Sequence, residues 1–394
     1  MRHLYIHIPF CVRRCSYCDF AIAVRKRIPA REFVDTIHRE LMSLGWVIPA
    51  AMPRGLRDPQ GSSDSPEQLD PLEPLETVYL GGGTPSLLGA EALAALLAGV
   101  LGEARDGTED REVTLEANPE DVTPEAARAW RRAGVNRISL GAQSFDDSVL
   151  QWMHRTHDAA RIGDAVRALR GAGFDNISLD LIFALPEELR RDWGRDLDRA
   201  CALGPEHLSL YGLTVEQRTP LARWISRGAT RPAGDERYAA EYLAAHERLA
   251  RDGYGFYEVS NAARGGARSR HNSAYWSGRP YLGVGPAAHS FDGRARRWNH
   301  GAWEAYRRAV LEGRSPVESQ EVLTPEQQGT ERVYLALRTS EGLSLAGPDV
   351  GAPPPAWVER GWAVVRGDRL ALTPEGWLRL DALAADLTGV RAIL

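Results

Sequence analysis

Cysteine is scarce in this 394-residue chain, which has four cysteines, and long apolar runs are missing. No segment has eighteen consecutive apolar residues, and no basic leader with an apolar stretch precedes the first strand, so we expect no membrane span. Three clustered thiols and one distant thiol make a poor disulfide framework. We therefore expect a cytoplasmic protein whose clustered cysteines bind metal.

An excess of charge of one sign is also missing. The 48 Lys and Arg residues face 53 Asp and Glu residues, which gives a net charge of -5. The arginines alternate with acids along helical stretches, a pattern typical of solvated helix faces, so we expect no nucleic-acid partner. The length and the ordinary apolar content predict one large globular domain and one small one.

Six short β-rich segments, each followed by a helical pattern, organise the first half of the chain. Most of them are apolar nearly throughout, as parallel strands covered on both faces are. Six βα units in series predict an α/β fold, a partial (β/α)6 barrel of the TIM type. The segments are LYIHIP from residue 4, ETVYLGGG from 76, EVTLEAN from 112, NRISLGAQ from 136, NISLDLIF from 176 and HLSLYGL from 207.

The rest of the sequence predicts the domain organisation. We expect the barrel over residues 1–230, a region that completes it over 231–320, and a small C-terminal α/β domain resembling a winged helix over 321–394. The Pro-, Ser- and Gly-rich stretch 49–76 has no periodicity, so we expect a flexible surface insertion there. The C-terminal module lacks a concentrated basic helix, which favours packing or partner docking over DNA binding.

Cys11, Cys15 and Cys18 form a CxxxCxxC motif on a loop directly after the first strand. Three thiolates on one tight loop can converge on a metal centre. A structural zinc site needs four ligands, and a distant histidine could complete one. A [4Fe-4S] cluster accepts three protein thiolates when its fourth iron is left for another ligand. The spacing alone leaves both centres open.

The cysteine motif, with YIHIPF before it, resembles that of the radical S-adenosylmethionine superfamily, and GGGTP at 81–85 is similar to that family's glycine motif. The resemblance implies a [4Fe-4S] cluster on the three cysteines, with S-adenosylmethionine at the open iron. It extends to the branch that contains the oxygen-independent coproporphyrinogen oxidases. Carried over residue by residue, it implies cofactor contacts from Tyr5, Tyr17, Gly82, Gly83, Thr84, Glu116, Gln143, Arg155 and Asp180.

The chemistry of these residue types suits such a cofactor. Acids accept hydrogen bonds from ribose hydroxyls, and a guanidinium pairs with the methionyl carboxylate. Missing glycine side chains are expected to let the backbone approach the methionyl amino group. We expect His7 to point into the barrel, where packing and a cofactor-side role compete, and Cys201 to be a buried helix residue.

Two features distinguish the chain from the oxidases themselves. Phe20 stands where the oxidases have a further cysteine, and the chain begins within four residues of its first strand, without their longer N-terminal extension. HNSAYW at 271–276 matches the HNxxYW motif of the related haem chaperones. The resemblance implies haem contacts from His271, whose imidazole suits iron, and from the flat rings of Tyr275 and Trp276.

We therefore expect a haem chaperone that passes haem to an acceptor protein, such as a membrane-bound respiratory enzyme, and that receives electrons from a donor. Arg268 and Arg270 are candidates for pairing with propionates, and His289 is a second candidate ligand. Two alternatives remain. One is an oxygen-independent coproporphyrinogen III oxidase acting by radical decarboxylation, and the other is a haem carrier whose cluster is only structural.

Overall fold

The computed structural model describes residues 1–46, 74–102, 110–346 and 354–389. Within these ranges, β-strands and α-helices alternate along the first half of the chain. The strands are β1 His3–Ile8, β2 Phe10–Cys11, β3 Ala23–Val24, β4 Thr77–Gly82, β5 Glu112–Ala117, β6 Arg137–Gln143, β7 Ile177–Phe183, β8 His207–Gly212, β9 Gly255–Glu258, β10 Asn261–Ala263, β11 Leu282–Val284, β12 His289–Phe291, β13 Ala295–Asn299, β14 Val317–Val322, β15 Leu343–Ser344, β16 Ala363–Arg366 and β17 Arg369–Leu372. The helices are α1 Ala30–Ser43, α2 Ala90–Leu101, α3 Pro124–Arg132, α4 Asp147–Trp152, α5 Ala159–Gly171, α6 Trp193–Ala202, α7 Pro220–Ser226, α8 Asp235–Arg251, α9 Arg270–Trp276, α10 Trp303–Leu311, α11 Pro325–Arg338, α12 Pro355–Glu359, α13 Pro374–Trp377 and α14 Leu380–Thr388.

A nine-stranded sheet in the order β11-β1-β4-β5-β6-β7-β8-β10-β9 forms the body of the protein. Its six central strands are the six predicted ones, paired in parallel and in chain order. β11 adds a parallel strand beside β1, and β10 and β9 add antiparallel strands beyond β8. The predicted partial barrel of βα units is thus confirmed.

Side chains alternate along the central strands between an apolar outer face and a polar interior. On β1, Leu4, Ile6 and Ile8 are fully buried in the main hydrophobic core, whereas His3 and His7 alternate with them. β6 repeats the pattern, because polar Arg137 and Ser139 alternate with fully buried apolar residues. The expectation of strands that are apolar on both faces is therefore wrong for the interior.

A small C-terminal module follows the large sheet. The antiparallel sheet β15-β17-β16 is accompanied by α11, α12, α13 and α14, so the module has the α/β composition that the sequence predicts. α11 begins with a capping box, in which Thr324 and Gln327 satisfy each other's backbone N–H groups. The boundaries of the three predicted domains stay predictions.

Two further expectations concern segments of the chain. Residues 49–73 of the predicted insertion lie outside the described residues. Among the described helices, none is both long enough and apolar enough to cross a membrane. Cys201 lies in α6 and is 8 % exposed, as predicted for a buried helix residue.

Candidate functional site

The three clustered cysteines lie at the carboxyl ends of the parallel strands, where (β/α) barrels carry their functional groups. β2 ends at Cys11, and the Arg14 guanidinium donates a hydrogen bond of 3.2 Å to the Cys18 carbonyl oxygen. All three thiols are free and line one cavity of ≈ 400 Å³. Burial raises the pKa of Cys11, and it raises the pKa of Cys18 to about 11. Metal binding here must therefore release protons.

The glycine motif packs tightly against the end of β1. Gly82 has φ +118°, and a Cβ atom there would lie 2.8 Å from the His7 ring. A Cβ atom on Gly83 would lie 2.8 Å from the backbone of Pro9. Close packing of Gly82 against the His7 ring and of Gly83 against the Pro9 backbone therefore disfavours a side chain at both positions, and their contact with a cofactor stays a prediction. Both glycines nevertheless line the cavity.

Glu116 and Asp180 are two acids on the cavity wall. The Tyr79 hydroxyl donates to Glu116 Oε1 over 2.9 Å, and the Gly82 N–H donates to Oε2 over 3.0 Å. The Ser139 hydroxyl donates to Asp180 over 2.9 Å. Burial raises the pKa of Glu116 to about 7, with nearby Asp180 adding to the effect, and burial also raises the pKa of Asp180. The wall can thus change its charge near neutral pH.

Arg155 brings a guanidinium beside the cysteine loop. Its Nη2 donates to Asn118 Oδ1 over 2.5 Å and to the Gly141 carbonyl oxygen over 3.1 Å, while its Nη1 lies 3.5 Å from Cys15 Sγ. Its Nε is buried and has no hydrogen-bond partner in the part of the chain that the structure describes. Two neutral oxygens therefore fix the orientation of the guanidinium group. Its remaining N–H groups are left to donate to a carboxylate.

Gln143 occupies a strained backbone position at the end of β6. Its φ is +66°, a left-handed value that few residues with a side chain adopt, and the register between β6 and β7 shifts there. His154, which also lines the cavity, has φ +61°. Such strain concentrates at functional sites, where a side chain must be aimed against local preference.

Most of the predicted cluster and cofactor residues meet in this cavity, although their contacts with a cofactor stay predictions. Tyr5 is the exception, because it does not line the cavity and its hydroxyl lies 3.0 Å from His7 Nδ1. The Nε2 atom of His7 lies 3.0 Å from the Ala21 carbonyl oxygen, and this hydrogen bond fixes the chain segment that follows the cysteines. The predicted residues that line it are Cys11, Cys15, Tyr17, Cys18, Gly82, Gly83, Thr84, Glu116, Gln143, Arg155 and Asp180.

The HNSAYW segment forms α9 at the opposite end of the barrel. Glu112, the first residue of β5, accepts hydrogen bonds from the backbone N–H groups of Arg270 and His271 over 2.9 and 3.0 Å. Thr77, which begins β4, contacts the His271 ring. The amino ends of the strands therefore carry this motif, and the carboxyl ends carry the cysteines.

His271 is buried inside the barrel and is 1 % exposed. Its Nδ1 lies 2.7 Å from Thr77 Oγ1, and its Nε2 lies 2.8 Å from the Tyr275 hydroxyl oxygen. Burial lowers its pKa to about 3, so the ring is neutral. Iron ligation by His271 would require the ring to leave one of these hydrogen bonds, and its direct contact with haem stays a prediction.

A second cavity of ≈ 690 Å³ opens beside α9. Tyr275 and Trp276 contribute to its wall together with side chains from β12, β13 and α11. The guanidinium of Arg338 lies 4.2 Å from the centroid of the Trp276 ring. Arg279 and Arg296 also line this cavity. It is thus an aromatic cavity whose wall carries three arginines and three glutamates.

Arg268 and Arg270, the candidates for propionate pairing, are placed elsewhere. Arg268 pairs with Glu341 at 3.1 Å, and Arg270 pairs with Asp110 at 2.9 Å. Neither lines the second cavity. His289, the other candidate ligand, is exposed at the start of β12, and its ring stacks on Trp298 with 5.7 Å between centroids.

Comparison with known proteins shows the family of this chain. The family model of the radical SAM superfamily matches residues 5–200. Heme chaperone HemW of Mycobacterium tuberculosis strain H37Rv is 38% identical, covering 98% of this chain and 94% of that protein. Heme chaperone HemW of Bacillus subtilis strain 168 is 31% identical, covering 87% and 85%. The chain belongs to the HemW family.

The fold has a solved counterpart outside the HemW family. Coproporphyrinogen III oxidase (HemN) from Escherichia coli superposes with a TM-score of 0.74 over 97% of this chain and 88% of that one, at 19% identity. That likeness shows the shared fold. Membership of the radical SAM superfamily implies a [4Fe-4S] cluster and S-adenosylmethionine for this HemW-family chain.

Several residues of this HemW-family chain were missed by sequence reasoning. Asn118 follows β5 directly, and polar residues at the carboxyl ends of strands were a usable signal for it. Arg279 lies three residues beyond the HNxxYW motif. Arg296 and Arg338 lie far from the motif in the sequence, and no local pattern indicates that they reach the same cavity.

Proposed function

We propose that this protein is a haem chaperone that binds haem in the second cavity and delivers it to an acceptor protein. The observation that carries the proposal is that Tyr275 and Trp276 of the HNxxYW motif line a ≈ 690 Å³ cavity. That volume is within the usual range of small-molecule sites, roughly 300–1,000 Å³. A membrane-bound respiratory enzyme is the proposed acceptor, and the cytoplasm is the proposed site of action.

The chemistry of the cavity matches a flat, apolar macrocycle with two carboxylates. Aromatic rings offer apolar faces to a porphyrin, and guanidinium groups pair with propionates. Each arginine also contacts a glutamate, as Arg279 does with Glu76 at 3.4 Å and Arg338 with Glu258 at 2.9 Å. Because a guanidinium has five N–H donors, these pairs leave donors for a propionate.

We further propose that the first cavity holds the cluster and the S-adenosylmethionine that the superfamily implies, because the three free thiols and the Arg155 guanidinium line it together. Cys11, Cys15 and Cys18 would hold the cluster, and Arg155 would pair with the methionyl carboxylate through the donor capacity that its neighbours leave. Glu116 would accept a hydrogen bond from a ribose hydroxyl. When bound, the cluster supplies an iron with an open coordination position and a centre for one electron.

The test is a haem titration of the reconstituted protein with a parallel assay of coproporphyrinogen III decarboxylation. We expect stoichiometric haem binding without decarboxylation. Trp276→Ala and Arg279→Glu should each weaken haem binding about 10-fold, since each removes roughly 1.4 kcal/mol of contact. Arg268→Glu is the matched control, because Arg268 lies outside the cavity. Decarboxylase turnover would favour the oxidase alternative, and unchanged haem affinity in both cavity variants would contradict the proposed site.

A further inference from the structure

The surface around the cysteine loop carries a concentrated positive charge in a chain whose net charge is negative. Residues 11–31 include six basic side chains and one acidic side chain, Asp19, whereas the whole chain has a net charge of -5. Arg13, Arg25, Lys26 and Arg27 of this stretch are exposed. Nothing in the proposed binding of cluster, cofactor or haem uses them.

Backbone pairing holds these basic residues beside the cysteines. β2 and β3 pair in parallel with Cys11 opposite Val24, and the Arg25 N–H donates to the Cys11 carbonyl oxygen over 2.9 Å. Arg13 follows β2 closely and Lys26 follows β3 closely, so the two basic stretches leave the strand pair side by side. The basic residues are therefore held beside Cys11, and Arg13 also lines the cysteine cavity.

Exposed apolar side chains accompany the charges. Val12 is 50% exposed, Val24 is 45% exposed and Phe20, which also lines the cavity, is 61% exposed. Arg25 has one ionic partner, Glu304 at 3.1 Å, whereas neither Lys26 nor Arg27 has one among the described residues. A few apolar contacts inside a charged rim are typical of small, short-lived interfaces between redox proteins.

We propose that this rim, defined as Val12, Arg13, Phe20, Val24 and residues 25–27, is the docking surface for a small acidic one-electron carrier protein. The inference rests on the proposed function, because it assumes that the three cysteines hold a cluster. One electron leaves the carrier's flavin or iron–sulfur centre and enters that cluster, so the carrier is oxidised by one electron and the cluster is reduced by one. Opposite charges speed such encounters, and salt slows them.

A single lysine makes the surface directly testable. Lys26 is the only lysine of the chain, so, once the amines of the partner have been blocked by acetylation, a carbodiimide can link the two proteins only through Lys26 or through the N-terminal amine of this chain. We expect the reconstituted full-length protein, mixed with an acidic flavodoxin, to give a conjugate whose peptide map contains Lys26. A map that contains only the N-terminal amine would overturn the proposal.

Charge reversal gives an independent measurement. We expect Lys26→Glu/Arg27→Glu to raise the Kd for the flavodoxin at least about 10-fold at low ionic strength and to flatten its dependence on salt. Arg251→Glu/Arg366→Glu makes the same change of charge at exposed sites on α8 and β16 and should leave the Kd unchanged. An unchanged Kd in the Lys26/Arg27 variant, or binding of the rim to anionic phospholipid vesicles in place of the carrier, would contradict the proposal.

Iron, sulfide and haem measurements on the same samples separate the two proposals. A wild-type protein that assembles a cluster and binds haem but does not dock the carrier at Lys26 overturns only the docking surface. A protein that binds no haem overturns the proposed function whether or not the carrier docks.

Discussion

Tyr79 stacks on His271 in the barrel interior, with 5.1 Å between ring centroids. Its hydroxyl also donates to Glu116 on the wall of the cysteine cavity. One side chain therefore contacts both the HNxxYW motif and the predicted cofactor site. Tyr79 is therefore the side chain at which coupling between the two ends of the barrel can be tested.

The Tyr79→Phe variant separates the two contacts of this side chain. It keeps the ring on His271 but removes the hydrogen bond to Glu116, which should raise the pKa of that carboxyl above about 7. Since a hydrogen bond to a charged group contributes roughly 1.5–3 kcal/mol, we expect S-adenosylmethionine to bind about 10-fold more weakly at pH 7.5. Calorimetry on the reconstituted protein measures the affinity for S-adenosylmethionine.

The affinity of Tyr79→Phe for haem should not change, whereas Tyr79→Leu should weaken the binding of both haem and S-adenosylmethionine. Full affinity of Tyr79→Phe for S-adenosylmethionine would refute the role of Glu116.

The His271→Ala variant tests whether the motif histidine supports the fold or binds haem directly. The change leaves Thr77 and Tyr275 without their buried partner, so we expect a loss of about 2–4 kcal/mol in the free energy of unfolding. Urea unfolding followed by circular dichroism measures it. Undiminished stability together with lost haem binding would instead establish direct contact with haem.

The Arg155→Lys variant tests whether the guanidinium group beside Cys15 pairs with the methionyl carboxylate. A lysine keeps the charge but cannot hold Asn118 and Gly141 at once while pairing with a carboxylate, so we expect S-adenosylmethionine affinity to fall about 10-fold. Equilibrium binding to the reconstituted protein provides the measurement. Arg199→Lys is the matched control, because Arg199 donates to the Phe145 carbonyl oxygen outside the cavity. Equal losses in the two variants would mean a general effect on folding.

A buried acid away from both cavities predicts a dependence of stability on pH. Burial raises the pKa of Glu40 to about 7, although Tyr306, Asn299 and the Gly285 N–H all donate to its carboxyl group. Because the folded pKa is raised, the stability due to the neutral carboxyl is complete below about pH 4.5 and is lost as the pH rises through about 7. The loss is on the order of 3 kcal/mol.

Glu40→Gln should remove this dependence on pH. We expect the free energy of unfolding of the variant to fall less between pH 5 and 8 than that of the wild type, as measured by urea unfolding at each pH. Parallel pH profiles for the two proteins would show that Glu40 is already ionised at pH 5.

The central strands were predictable because each is a short apolar run followed by a helical pattern. β11 was not predicted, since its three residues from Leu282 to Val284 carry no period of their own and pair with β1 only through the tertiary fold. The alternation of residues along β1 indicates the polar interior of the barrel. It is hard to recognise in the sequence, because apolar neighbours outnumber His3 and His7 and obscure the two-residue period of a strand.

That most of the motif residues share one cavity was largely predictable, because chemistry fixes residue types at fixed spacings. The second cavity was only half predictable. Tyr275 and Trp276 belong to a motif, whereas Arg338 reaches Trp276 from α11, 62 positions later, through packing of the C-terminal module. The sequence also could not show that both ring nitrogens of His271 are hydrogen-bonded, because one partner, Thr77, lies 194 positions away.

The two cavities open at opposite ends of one barrel, and this separation bears on how two partner proteins can bind. A carrier held at the cysteine rim and an acceptor held beside α9 would not compete for space, so the chain can engage both at the same moment. In such an assembly, the barrel wall separates a reactive iron porphyrin from an oxygen-sensitive centre.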